Sequence, residues 1–133
     1  MIVYVGTPFT KFRGGLDAAY RVAVTVTARL TAAGIAAYSP IVHTYPLSTA
    51  GAPDYLDHDF WLAADVPFMD AAGALLIVKA EGWDESYGIA IEARHFRKAH
   101  KPVVHATPEE IAHPDFPQWL RQRLDAKARE MAA

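Results

Sequence analysis

Glu92 is a lone carboxylate in the apolar run Ile89-Ala90-Ile91-Glu92-Ala93, and Asp65 stands between Leu62-Ala63-Ala64 and Val66-Pro67-Phe68. A carboxyl group in such company either sits on a solvated helix face or is buried with a raised pKa. For Asp65 a third role is open, capping whatever follows Pro67, and Asp59 close to Trp61 is its rival. Two carboxylates facing one site can divide the work. One attacks or stabilises a cation, and the other, kept protonated by burial, donates a proton. That division suits glycosyl transfer, whose transition state resembles an oxocarbenium ion.

Other side chains can assist or merely support the fold. Tyr4, in an apolar N-terminal run, can reach a carboxylate or simply fill the core. Ser86, six residues before Glu92, can offer its hydroxyl and backbone N–H groups to a phosphate, or serve only as a helix cap. Arg13 beside Gly14 and Gly15 is a weaker phosphate signal. His43 lies in a Pro-rich segment where it could touch a ligand, and Trp83 and Tyr45 could stack on a planar base or pack in the fold. The six histidines are scattered without metal-ligand spacing. No serine-hydrolase elbow, Walker loop or GxGxxG fingerprint occurs. Neither a metal nor a cofactor is expected.

Composition narrows the classes. The chain has 133 residues, enough for one domain spanning 1–133, and 52% are hydrophobic, enough for a real core. Thirteen basic and fifteen acidic side chains give a formal charge of −2 with no basic stripe, so no nucleic-acid polymer is expected as partner. Without cysteine there are no disulfides or thiolate sites. The first residues do not read as a signal peptide, and no stretch approaches the roughly 20 apolar residues of a membrane span. A cytoplasmic protein is the expectation.

The elements that must position these groups follow from periodicity. Residues 2–6 read as a strand ending at Gly6, and Leu16 to Ala33 as a helix stopped by Gly34. Ile35–Ser39 is a short strand closed by Pro40. From Pro40 to Asp54 three prolines and no clear period predict a long loop, a crossover or a lid over a site. A helix follows from near Tyr55, broken or kinked near Pro67. Ala74–Val78 is a buried strand, and Asp84 or Ser86 caps a helix in which Glu92 should lean over Gly88. Lys101–His105 is a further strand, Thr107-Pro108-Glu109-Glu110 a helix start, and Pro117 to Met131 a terminal helix. Strands alternating with helices predict a doubly wound, mostly parallel α/β sheet of four to five strands, with ligands at the carboxyl ends of the strands.

Taken together, Tyr4 and Gly6, an Asp before the third strand, and Ser86-x-Gly88-x-x-x-Glu92-x-x-x-Phe96 followed by His100-Lys101-Pro102-Val103 resemble the nucleoside 2-deoxyribosyltransferase superfamily. Tyr38-Ser39-Pro40-Ile41-Val42-His43 and Gly82-Trp83-Asp84-Glu85-Ser86-Tyr87-Gly88 resemble an uncharacterised bacterial and phage branch of it, over roughly residues 1–105. The resemblance implies a flavodoxin-like fold in which Glu92 attacks the anomeric carbon, Tyr4 orients it, and Asp65 protonates the leaving base. It also implies a homo-oligomer, a dimer or higher.

Two departures shape the expectation. The transferases carry an Asp where this chain has Ser86, and borrow an Asn from a neighbouring subunit, whereas this chain has no asparagine. The family's nucleoside 5′-monophosphate N-glycosidases bind phosphate with the corresponding serine, and Thr7, Thr10 and Arg13, following the substrate-binding Gly6, fall where those enzymes keep phosphate-binding loop residues. The resemblance therefore implies hydrolysis of a nucleoside or deoxynucleoside 5′-monophosphate, with Ser86, Gly88 and His43 also at the substrate. A base-exchanging transferase, an NAD glycohydrolase and a non-catalytic nucleotide-binding module are the alternatives.

Overall fold

In the computed structural model, which describes residues 1–133, the strands β1 (Val3–Gly6), β2 (Ala37–Tyr38), β3 (Ala74–Val78) and β4 (Val103–Ala106) form one parallel sheet in the order β2-β1-β3-β4. From β1 the chain steps to β2 on one side, then crosses back past β1 to β3 on the other. The switch point of the doubly wound fold therefore lies between β1 and β3. This is the flavodoxin-like α/β architecture with four strands.

Both faces of the sheet are covered, which is why its strands read as continuous apolar runs. Val3, Val5, Leu76 and Val78 point to a layer formed by α1 (Leu16–Ala32) and α6 (Phe116–Ala132), through Val26, Leu30, Phe116 and Leu120. Tyr4, Leu75 and Ile77 point the other way, to Met69 of α3 (His58–Ala71) and to Ile89, Ala93 and Phe96 of α4 (Tyr87–Lys98). The short α5 (Pro108–Ala112) opens with the expected capping box of Thr107 and Glu110. In α6, Leu120 and Leu124 are buried in the domain's own core, so this helix completes the fold; Met131 stays exposed.

The predicted loop after Pro40 is instead a helix, α2 (Pro40–Thr49). Ser39 caps it by accepting from the Val42 N–H at 3.2 Å, and Pro40 occupies the first turn, where its missing N–H costs nothing. Likewise Pro67 does not break α3, which runs through it to Ala71. No helix is long and apolar enough to cross a membrane.

Candidate active site

Four residues of α3, His58, Trp61, Leu62 and Asp65, recur at helical spacing and line one cavity. That stripe separates the two aspartates: Asp65 is buried and lines the cavity, whereas Asp59 is exposed and does not. From the opposite wall, α4 contributes Ser86, Tyr87, Gly88, Ile89 and Glu92. The segment after β1 supplies Thr7, Phe9 and Thr10, and α2 supplies Ile41 and Thr44. The cavity lies past the carboxyl end of β1, between helices that flank the switch point.

Glu92 is buried, but it does not lean over Gly88 as its helical position predicts. A β-carbon on Gly6 would stand 2.9 Å from Glu92 Oε1, whereas one on Gly88 would meet nothing nearer than Ser86 Oγ at 3.9 Å. The bare backbone of β1, not the open turn of α4, makes room for the carboxylate. Tyr4, two residues earlier on the same face of β1, turns its hydroxyl toward Glu92. It is close enough to hold the carboxyl pKa down somewhat, though the contact falls short of a full hydrogen bond.

Electrostatics separate the two carboxyls. Burial, and then the charge of Asp65, push Glu92 up to about 8 against the smaller lowering by Tyr4. Burial alone raises Asp65 to about 6. The Tyr4 and Tyr38 hydroxyls are held far above the usual phenol range, first by burial and then by these two carboxylates. Around neutrality the pair therefore holds about one proton, the arrangement acid–base division of labour requires.

The site also contains polar atoms without partners. Thr7 Oγ1, Asp65 Oδ1, Tyr4 Oη and Tyr38 Oη are buried and unpaired. Native interiors seldom leave such groups unsatisfied, so those facing the cavity suit a ligand with donors and acceptors of its own. At the cavity's mouth Ser86 caps α4 by accepting from the Ile89 N–H at 3.3 Å. The N–H groups of Tyr87 and Gly88 in the first turn have no protein acceptor. These N–H groups at the positive end of a helix favour an anion. No lysine or arginine lines the cavity.

The structure therefore brings together Glu92, Asp65, Thr7, Thr10, Ser86 and Gly88, with Gly6 and Tyr4 beneath them. Arg13 is not among them: its side chain is 84% exposed and pairs with Glu81 at 3.1 Å. His43 also lies outside the lining, packed against Tyr38 and Phe68. Trp83 packs on His105, and Tyr45 donates to Asp17 while packing on Phe9, so neither reaches the cavity. The aromatic walls are instead Phe9, Tyr55, Trp61 and Tyr87, which sequence reasoning passed over together with His58. The α3 residues had a readable signal, the 58-61-62-65 stripe; Phe9 and Tyr55 lie outside regular elements, where no period marks them.

Residues 1–107 match the model of a family described as a domain of unknown function (DUF1937), and the chain belongs to that family. No curated protein was found to match it.

Proposed function

We propose that this member of the DUF1937 family is an N-glycosidase that cleaves the base–sugar bond of a nucleoside or deoxynucleoside 5′-monophosphate. One observation carries the reading: two carboxyls from different helices, Glu92 and Asp65, meet at one cavity, and burial raises the pKa of both. The Glu92 carboxylate attacks the anomeric carbon as the carbon–nitrogen bond breaks. The bonding pair leaves with the base, which takes a proton from Asp65. Water then cleaves the glycosyl ester, giving its hydroxyl to the sugar and its proton to Asp65. In the empty site Glu92 is the more basic group. Positive charge growing at the anomeric carbon favours its ionised form and leaves the proton on Asp65.

The cavity measures about 110 Å³, small beside the roughly 300–1,000 Å³ of pockets that enclose a drug-sized ligand. In this reading it seats the sugar, with the base against the aromatic wall and the phosphate outside at the α4 N-terminus. No cofactor enters the chemistry. Leu56 and Phe60 are exposed around the start of α3 and give a homo-oligomer an apolar surface.

The test is incubation of the purified protein with a panel of nucleosides, their 5′-monophosphates and NAD, with free base measured chromatographically. Base release from monophosphates, lost in Glu92→Ala, is the expected result. Because no cation lines the cavity, free nucleosides are the second substrate class to compare. Adding a second free base detects transfer. Intact substrate across the whole panel refutes the enzyme reading, and calorimetric binding without turnover would mark a nucleotide-binding module.

A further inference from the structure

Parallel pairing of β1 and β2 sets Tyr4 and Tyr38 side by side as register partners, their rings 5.5 Å apart on the face that carries α3 and α4. Both hydroxyls are buried. The charge of Glu92 acts on Tyr4 more strongly than that of Asp65, and the charge of Asp65 acts on Tyr38 more strongly than that of Glu92. The Tyr38 ring has little freedom. It stacks on Phe68 at 4.4 Å and 5°, and Phe68 stands three residues after Asp65 on the same helix.

Two atoms there lack partners: the Tyr38 hydroxyl and Asp65 Oδ1, both fully buried. Native interiors seldom leave a buried donor and a buried acceptor both without partners, and the stacking on Phe68 holds the Tyr38 ring within a turn of Asp65 on that helix. Oδ1 points into the protein, while Asp65 also lines the cavity. The second oxygen is therefore the one open to a ligand.

We infer that Tyr38 is a positioning residue: its hydroxyl donates to Oδ1 of Asp65 and so presents the other carboxyl oxygen to the substrate's leaving group. The proton that Asp65 delivers is then always carried on the oxygen facing the cavity. For the role of Asp65 this rests on the glycosidase reading above. The Tyr38–Asp65 contact itself does not depend on it.

The experiment is a carbon-13 carboxyl titration of the ligand-free protein, with the Asp65 signal assigned by Asp65→Asn. Tyr38→Phe keeps the ring and removes only the donor, so the Asp65 midpoint should rise by about half a unit or more. Phe68→Leu loosens the ring and keeps the hydroxyl, so it should move that midpoint less. A Tyr38→Phe midpoint within about 0.1 unit of the parent, or an equal shift in Phe68→Leu, overturns the proposal. On any substrate found to be cleaved, Tyr38→Phe should lower kcat about tenfold with KM within about twofold, as expected when only transition-state geometry is lost. An unchanged kcat there overturns the positioning role. If no substrate is cleaved, the glycosidase reading fails alone, and the titration still decides the contact.

Discussion

Gly6 and Glu92 share one space: the carboxylate of α4 fills the place where a side chain on β1 would begin. A β-carbon at Gly6 would lie 2.9 Å from Glu92 Oε1, closer than real contacts allow. One of the two must move, and the carboxyl end of a glutamate moves more easily than a central strand. Gly6→Ala should therefore fold with a stability loss of about 1 kcal/mol or less, because only a flexible end is displaced. Its turnover should fall about 10²-fold, since a misplacement near 1 Å suffices for that. Urea unfolding and the base-release assay, run on the same preparation, check the two halves.

Glu92 is also a stability liability whose sign can be worked out. Its folded pKa of about 8 lies above the ordinary 4.5, so between those values the folded state holds a proton that the unfolded chain has lost. Stability contributed by this group is then full below about 4.5 and lost as pH rises through about 8. Glu92→Gln removes the burden of ionisation. It should raise stability at pH 8.5 by an amount on the order of 2–4 kcal/mol, leave it little changed near pH 5, and abolish turnover. Denaturant titrations of both proteins at the two pH values measure this. An equal effect at both would mean that Glu92 is not buried as a neutral acid.

Much of this arrangement was legible in the sequence because burial and period agree there. Ala74–Val78 is a strand from end to end, and Thr107-Pro108-Glu109-Glu110 is the helix start its capping residues announce. Helix α2 was illegible for a physical reason. It buries only Pro40 and Thr44, so it carries no apolar stripe, and Pro46 within it imitates a loop. Its one true signal was Ser39 followed by Pro40, a cap and first-turn pair. Asp65 and Glu92 stood out by their apolar neighbours. The partner of Glu92 did not, because contact with Gly6 crosses from α4 to β1 and leaves no trace in local spacing. Arg13 was misleading for the converse reason: nearness in sequence to Thr7 does not carry a long exposed side chain into the cavity when Glu81 holds it outside.

Sharing of one proton predicts the form of the pH–rate profile. With both carboxyls protonated there is no nucleophile, and with both ionised there is no acid. Activity should therefore rise through an apparent value near 6 and fall through one near 8, the two steps belonging to the pair. Asp65→Asn should remove the acid and lower kcat by about 10²–10⁴-fold. Its loss should be smallest on substrates whose leaving base needs no proton. Profiles of kcat/KM across pH 4.5 to 9.5, measured for both proteins, test the assignment.

Ser86 separates recognition of a phosphate from mere helix capping. Its hydroxyl accepts from the Ile89 N–H at 3.3 Å, and Ser86→Ala should cost about 1 kcal/mol through the lost cap. Ser86→Asp restores a capping oxygen but adds a negative charge beside the free N–H groups of Tyr87 and Gly88. Stability should therefore return in the aspartate variant. KM for a 5′-monophosphate should rise by about tenfold or more, since a repulsion of 1.4 kcal/mol already gives that factor. The matching free nucleoside, having no phosphate to repel, should keep its KM within about twofold. Equal changes for the two substrates would place the phosphate elsewhere and leave Ser86 a cap alone. Side-by-side kinetics on one nucleoside and its monophosphate, with thermal unfolding of both variants, decide it.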